Sequence, residues 1–250
     1  MKIILILMIT IAIGLGENKN ILKAIELFKL KNNCNIIICD NDTDLINCIN
    51  DKNVDIVIRG SLSSNNILKN LKNYNKNISR ASYIKKDDFE FLLSPVGIDE
   101  GKNVEEKYEI VKNCEKFIKN LNKEPKIAIL ANGRKDDLGR SLEIDNSINE
   151  SEKLYNLIKK NSASNLKNYY ILIEEAIKDE NNIIIAPNGI IGNILFRSFV
   201  LVNKWPSYGA ITFGLNKVYI DTSRSQTIEG YLRSLNLGYK ILIDRLNKNN

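Results

Sequence analysis

The 250-residue sequence contains no histidine. This absence excludes a Ser–His–Asp triad, a histidine-bearing zinc site and an imidazole acid–base catalyst. Any proton transfer must therefore use carboxylates, lysine, tyrosine, cysteine or the substrate itself.

Cysteine is also scarce, and the spacing of the four cysteines matches no metal-binding motif. The four cysteines, Cys34, Cys39, Cys48 and Cys114, form neither a CxxC pair nor the paired spacing of a secreted disulfide framework. Cys39 ends an apolar run, and Cys114 falls at helical spacing with apolar neighbours. We expect buried free thiols, a reducing cytoplasm and no metal site.

Long apolar runs and clustered charge are missing as well. The apolar residues 1–14 are too few to span a bilayer, so we interpret the end of this run as a buried strand, with Met8 as an alternative start. The net charge of +6 comes from lysines scattered among Asn and Glu. This pattern is typical of a solvated surface rather than of nucleic-acid binding, and it leaves room for a basic site that binds an anion.

Apolar runs alternate with amphipathic helical segments, which predicts an α/β fold with a parallel sheet. Residues 9–13, 36–39 and 54–58 are predicted strands that each lead into a helix. Residues 131–147 are the longest predicted loop. Residues 190–202 are apolar on nearly all sides, which predicts a buried helix.

Four predicted strand-to-helix turns carry candidate functional residues, namely residues 14–18, 59–65, 187–193 and 220–227. Because ligands in open α/β sheets bind at the carboxyl ends of strands, such turns suit an anionic ligand. Tight turns or ordinary helix caps would also account for them. The candidate ligand-binding residues are Gly14, Gly16, Arg59, Ser61, Ser63, Ser64, Asn188, Gly189, Gly192 and Asn193, and the candidate catalytic residues are Ser223 and Arg224.

The segments 183–193 (IIIAPNGIIGN) and 213–225 (FGLNKVYIDTSRS) together resemble the phosphotransacetylase/phosphotransbutyrylase family. In that family a strand, a proline turn ending in Gly-Asn and a Ser-Arg motif before the last helix follow one another. Within this superfamily, IAIGLGEN, RGSLSS and SPVGIDEG look most like the methanogen proteins named methyltransferase subunit X (MtxX).

The resemblance implies two α/β domains around a cleft, as in isocitrate and isopropylmalate dehydrogenases. Residues 1–78 and 225–250 would form the first domain, and residues 79–224 an inserted second domain. It also implies a transferase, with CoA or another phosphate-bearing molecule as ligand, Ser223 and Arg224 as catalytic residues, and a possible homodimer.

Two departures from phosphotransacetylases stand out. Those enzymes carry an aspartate, resembling a general base, seven residues after the motif serine, and here that position is Gly230. The glycine of their Ser-Arg-Gly motif is Ser225. The resemblance therefore leaves three hypotheses: an archaeal MtxX-type transferase that works beside a corrinoid methyltransferase subunit in methanogenesis, a CoA- and phosphate-dependent acyltransferase, and a non-catalytic subunit that senses an anionic metabolite.

Overall fold

The computed structural model describes residues 8–75 and 78–248, so the predicted strand within residues 1–14 is described only from Met8 onward. The elements follow in the order β1 (Ile9–Gly14), α1 (Asn20–Lys29), β2 (Cys34–Cys39), α2 (Asp42–Asn50), β3 (Ile56–Ile58), α3 (Asn65–Tyr74), β4 (Ser79–Lys86), β5 (Phe89–Ser94), α4 (Val104–Asn120), β6 (Lys126–Leu130), α5 (Leu142–Asn161), β7 (Asn165–Tyr170), α6 (Ile173–Lys178), β8 (Ile183–Ile185), α7 (Gly189–Phe196), β9 (Ser207–Phe213), β10 (Val218–Asp221) and α8 (Ile228–Lys248). The predicted α/β alternation is confirmed.

The chain divides into two compact units, residues 1–78 with 208–250 and residues 79–207. The family resemblance implies a return to the first unit at residue 225, whereas the compact units observed here meet at residue 208. The reason is β10, which pairs in parallel with β3. That pairing joins residues far apart in the chain, and no local pattern reveals it.

In the first unit, the strand order is β2-β1-β3-β10-β9. All neighbours are parallel except β9, which runs antiparallel to β10. Ile13, Ile58 and Ile220 lie level with one another in the register of β1, β3 and β10. The residues that leave these three strands therefore start from one edge of the sheet.

Helices cover both faces of this sheet and bury the apolar side chains that their periodicity predicts. On one face α1 and α8 pack together, and the rings of Phe28 and Tyr239 meet edge to face at 5.7 Å. On the other face Leu45 and Ile67 join a buried cluster with Val57 and Tyr219. The core thus holds the ends of β1, β3 and β10 rigidly.

In the second unit, the strand order is β4-β5-β8-β6-β7. β4 and β5 form an antiparallel hairpin, and the remaining neighbours are parallel. The predicted long loop at 131–147 is shorter than expected because α5 begins at Leu142. Ser141 caps that helix, accepting the Ile144 N–H at 3.2 Å.

The helix at 190–202 corrects a second expectation. Residues Gly189–Phe196 form α7, and Arg197–Val202 continue it as a π-helical segment. The sequence predicted burial all round, but within this stretch only Gly189, Gly192 and Val200 are buried. Apolar composition on all sides of a helix therefore does not by itself establish burial, and Ile190, Ile194 and Val202 are exposed here.

Candidate functional site

Arg59 is the central side chain at the carboxyl edge of the first unit's sheet. Its buried guanidinium forms an ion pair with Asp221 and donates hydrogen bonds to the carbonyls of Leu62 and Thr222. The sequence assigned Arg59 to ligand binding, whereas its donors are directed at the protein. Because Ser63 and Ser223 each follow one of these carbonyls, Arg59 brings two serines to the same part of the edge.

The glycines expected to cradle a phosphate instead let two loops touch. A Cβ added at Gly14 would lie 2.2 Å from the Arg59 carbonyl oxygen, and one at Gly16 would lie 2.5 Å from that of Ser61. The Gly16 N–H donates to Ser61 Oγ at 2.8 Å, and the Ser61 N–H donates to the Gly14 carbonyl at 3.2 Å. Gly14, Gly16 and Ser61 therefore fasten the β1–α1 loop to the β3–α3 loop.

The loop after β10 is held by its backbone. Tyr231 Oη donates to the carbonyls of Ser223 and Arg224 at 3.2 and 3.3 Å, and Asn18 Nδ2 donates to the Arg224 carbonyl at 2.9 Å. The Arg224 side chain is exposed, and no residue in the described ranges forms an ion pair or hydrogen bond with its guanidinium. The backbone of Arg224 is therefore held in place while its guanidinium is accessible to a ligand.

We call Arg59 with its partners Asp221, Leu62 and Thr222 the Arg59 clamp. Helix α3 begins at Asn65, just after this clamp in the chain, and has no side-chain cap. Ser63 is exposed and Ser64 is half-buried. The first N–H groups of a helix point outward and, when uncapped, attract negative charge. An anion at this part of the sheet edge, near Ser223, could therefore accept hydrogen bonds from Ser63, Ser64 and the first N–H groups of α3.

Helix α8, in contrast, is already capped from within. Thr227 Oγ1 accepts the Gly230 N–H at 3.1 Å. The pKa of Glu229 is lowered, because its carboxylate accepts hydrogen bonds from the Glu229 backbone N–H and from the Thr227 hydroxyl. The carboxylate of Glu229 thus occupies the position at which an external anion would otherwise bind.

Gly230 faces the side chain of Gln226. A Cβ added at Gly230 would lie 2.5 Å from Gln226 Oε1, and Gln226 is buried. An amide side chain therefore fills the space that a larger residue at position 230 would need.

Of the four candidates in the second unit, Asn188 caps its own helix and the other three hold a neighbouring loop. Asn188 caps α7, accepting the Ile191 N–H at 2.9 Å, and Asn193 donates to the Val96 carbonyl at 3.0 Å. A Cβ at Gly189 or Gly192 would lie 1.6 or 1.8 Å from the carbonyl oxygens of Gly97 and Pro95. The contacts of Gly189, Gly192 and Asn193 fasten α7 to the loop at 95–101.

Sequence reasoning missed a buried ion pair that joins β4 to the same loop. The Arg80 N–H and Nε donate to the two carboxylate oxygens of Glu100 at 3.1 and 2.7 Å, and Ser94 Oγ donates to the Arg80 carbonyl at 2.8 Å. It also missed Tyr231 and Asn18. Glu100 lies in the singled-out phrase SPVGIDEG, but nothing local marks Arg80 as its partner.

The buried thiols do not provide an ionised nucleophile. The four cysteines are free, as expected. Burial and a contact with the Cys48 sulfur, 3.6 Å away, raise the pKa of Cys39 to about 12, and burial raises the pKa of Cys114. Among the described residues, no group of three or more cysteine, aspartate or glutamate side chains is arranged to hold a metal ion.

No helix within residues 8–75 and 78–248 combines the length and apolarity that crossing a bilayer requires.

Comparison with solved structures shows the fold. A branched-chain phosphotransacylase from Enterococcus faecalis superimposes with a TM-score of 0.70 at 17% identity, covering 94% of this chain and 99% of its own. A phosphotransacetylase from Streptococcus pyogenes gives 0.66 at 14% identity, covering 95% and 94%. A 4-hydroxythreonine-4-phosphate dehydrogenase from Klebsiella pneumoniae gives 0.58 at 11% identity, covering 93% and 99%.

Sequence comparison shows the family. No family model matches the chain. An uncharacterized methyltransferase of Methanocaldococcus jannaschii is 39% identical over 238 residues, covering 92% of this chain and 96% of its own. A protein of Methanosarcina mazei, provisionally named methyltransferase mtx subunit X, is 36% identical over 176 residues, covering 69% of this chain and 62% of its own. With the sequence motifs and this fold, these matches show that the chain belongs to the MtxX family of methanogen proteins.

Proposed function

We propose that the chain is a cytoplasmic MtxX-type transferase whose first unit binds the anionic group of its substrate where β1, β3 and β10 end. The observation that carries this proposal is Arg224. Its backbone carbonyl is anchored by Asn18 and Tyr231, and its guanidinium is exposed and without a partner in the described chain.

The surrounding groups favour an anion over a neutral ligand. The planar guanidinium can hold a phosphate or carboxylate with two parallel hydrogen bonds. Ser223 lies beside it, and Ser63 and Ser64 stand at the uncapped start of α3. CoA or another phosphate-bearing small molecule fits this set of donors.

The names of the relatives suggest the reaction and a partner. We extend methyl transfer to this chain as a proposal, with a corrinoid methyltransferase subunit as its partner. The chain has no histidine to ligate a corrinoid, so a corrinoid bound through histidine would have to reside on that partner.

Acyl transfer with CoA and phosphate is the second candidate, and the shared fold supports it. The filled space at Gly230 opposes it. The resembling enzymes carry at this position an aspartate that resembles a general base, and Gln226 leaves no space for one here. A non-catalytic subunit that senses the anion would bind the ligand in the same way without turnover.

Calorimetry of the purified protein with CoA and with inorganic phosphate tests the proposed site. Arg224→Ala should weaken binding by about 1.5–3 kcal/mol, the range for a hydrogen bond to a charged group. Lys31→Ala is the matched control, since it removes an exposed cation beyond α1, just before β2 begins at the opposite edge of the sheet. Equal affinity in wild type and Arg224→Ala would contradict the site.

Mass spectrometry of ligands that co-purify with the protein tests the ligand class. A phosphate-bearing compound retained by wild type and lost from Arg224→Ala is the expected result.

A further inference from the structure

Two of the four cysteines in the first unit and its sheet lie against each other. The sulfur atoms of Cys39 and Cys48 are 3.6 Å apart. Cys39 is the last residue of β2 and is buried, whereas Cys48 lies in the last turn of α2 and is half-buried. The sulfurs of a disulfide are about 2.0 Å apart, so these two need to approach by about 1.6 Å.

The packing of α2 on the sheet holds this pair together. Cys39 belongs to a buried cluster with Leu45 of α2, and Cys48 packs against the same cluster. Cys34 also lies on β2, but an odd number of residues separates it from Cys39, so it faces the other side of the sheet. Cys114 belongs to α4 in the second unit. The fold therefore pairs Cys39 with Cys48.

We propose that Cys39 and Cys48 are a modification site, at which exchange with a low-molecular-weight disulfide closes a reversible bond between α2 and the end of β2. This modification starts from the folded, reduced chain, in which the four thiols are free. It depends neither on the ligand nor on the reaction proposed above.

Exposure assigns the two cysteines to different steps. The half-buried Cys48 is the accessible thiol, so its sulfur attacks the small disulfide, forms a mixed disulfide and displaces one small thiolate. The Cys39 sulfur then attacks the Cys48 sulfur and displaces the second small thiolate. Each displaced thiolate takes up the proton that the attacking thiol gives up. The two protein thiols are thus oxidised by two electrons, and the small disulfide is reduced to two thiols.

The charges around the pair agree with this order. The carboxyl end of α2 carries partial negative charge, which disfavours a thiolate, but Lys217 Nζ offsets it by donating to the Cys48 carbonyl at 3.0 Å. Burial raises the pKa of Cys39 to about 12, and the charges of Asp40 and Asp44 act in the same direction. Cys39 is therefore a poor first nucleophile, and it reacts once the mixed disulfide stands beside it and the step is intramolecular.

The bond should stabilise the folded chain. It would close the loop formed by residues 39–48, which removes conformational entropy from the unfolded state. The end of β2 also holds the β1–α1 loop, because the Cys39 carbonyl accepts the Leu15 N–H at 2.8 Å. Oxidation therefore acts at the sheet edge where β1 and β2 end.

Mass spectrometry of the full chain incubated with cystamine, a small disulfide, tests the site. We expect folded wild type to lose two of its four alkylatable thiols and the mass of two hydrogens, and dithiothreitol to restore both thiols. Cleavage on the amino side of aspartate cuts at Asp40 and Asp44, so only the new bond joins the fragments that carry Cys39 and Cys48.

Two serine variants assign the bond. Cys48→Ser should not close it. Cys34→Ser is the matched control from the same strand, and it should close the bond as wild type does. Because Cys34 stays in the Cys39 fragment after cleavage, this variant also excludes Cys34 as the linked residue. The fragment map of wild type needs no variant, so it remains decisive if Cys48→Ser does not fold.

Urea unfolding measures the consequence of the bond. Oxidation should raise the unfolding midpoint of wild type and of Cys34→Ser. A folded wild type that keeps four thiols, a bond that involves Cys34 or Cys114, or a stable mixed disulfide in place of the internal bond would each overturn the proposal. A bond between two chains, or an internal bond that does not raise the midpoint, would overturn it as well.

Discussion

The Arg59 guanidinium and the Asp221 carboxylate form a buried ion pair between β3 and β10, two neighbouring strands of the first unit. Both side chains are less than 10% exposed. Because the same guanidinium also binds the carbonyls of Leu62 and Thr222, the pair sets the course of two loops that carry candidate site residues.

Removing one partner of this pair should destabilise the protein strongly. Asp221→Asn leaves the buried Arg59 charge without its counterion, a change that typically costs about 3–5 kcal/mol. Urea unfolding followed by circular dichroism measures the loss. Glu26→Gln is the control, since it breaks the exposed Lys23–Glu26 pair of the same unit and should cost less than about 1 kcal/mol. Equal losses in the two variants would show that the Arg59 clamp is dispensable.

The contact between the β1–α1 and β3–α3 loops predicts a second loss of stability. Gly14→Ala would place a Cβ 2.2 Å from the Arg59 carbonyl oxygen, so the backbone must move. We expect a cost of at least about 2 kcal/mol, within the range for overpacking. Gly238→Ala is the comparison. Its Cβ would meet side chains rather than backbone, with Ile56 Cγ2 nearest at 3.0 Å, and alanine favours a helix by about 1 kcal/mol over glycine. A tolerated Gly14→Ala would contradict the close approach.

The position of the candidate site could be predicted from the sequence, whereas the roles of its residues could not. Apolar runs followed by glycine and serine indicate where strands end, and this placed Ser223 and Arg224 correctly at a strand-to-helix turn. Whether an arginine faces solvent or a carboxylate depends on pairing across the fold. Arg59 and Asp221 are 162 residues apart, and no local pattern separates Arg59 from Arg224.

The same limit explains the other differences. Glycines that approach a ligand and glycines that approach another loop have the same local sequence, so Gly16 and Gly189 were assigned to binding although their backbones meet protein carbonyls. The resemblance implies that residues 208–224 belong to the second unit, and the nonlocal pairing of β10 with β3, which joins them to the first unit, has no local signal in the sequence. The apolar pattern of residues 190–202 predicts a buried helix, whereas the structure leaves Ile190, Ile194 and Val202 exposed.

Tyr231 predicts a pH dependence of stability. Burial raises its pKa to about 12, whereas an unfolded tyrosine titrates near 10. The folded state therefore holds this proton more tightly, and the stability that it contributes is complete below about pH 10 and is lost as the pH rises through 12. Unfolding free energies of wild type should fall more steeply across this range than those of Tyr231→Phe. Parallel curves would show that the phenol titrates normally.

Tyr231→Phe should also weaken binding at the proposed site at neutral pH, where the phenol is protonated. The substitution keeps the ring in the core and removes the hydrogen bonds to the Ser223 and Arg224 carbonyls. A loss of about 0.5–1.5 kcal/mol in calorimetry with CoA is expected for a neutral hydrogen bond. Unchanged affinity would show that the phenol does not position Arg224.

The final prediction concerns acyl transfer. Gly230 stands where the resembling acyltransferases carry an aspartate, and loss of a general base alone typically slows a reaction by about 10²–10⁴-fold. Glu229 does not replace it, since a neighbouring helical residue points about 100° away and its carboxylate is engaged with Thr227. Acetyl-CoA:phosphate exchange by wild type should therefore be absent or orders of magnitude slower than exchange by a phosphotransacetylase. Gly230→Asp alone should remain inactive because its side chain would meet Gln226, whereas Gly230→Asp with Gln226→Ala provides space for the carboxylate.

Acetyl-phosphate formation by the double variant alone would show that the binding groups for acyl transfer are intact and that Gln226 closes the site to a base. Activity in wild type would instead show that the base lies elsewhere and would favour the acyltransferase function.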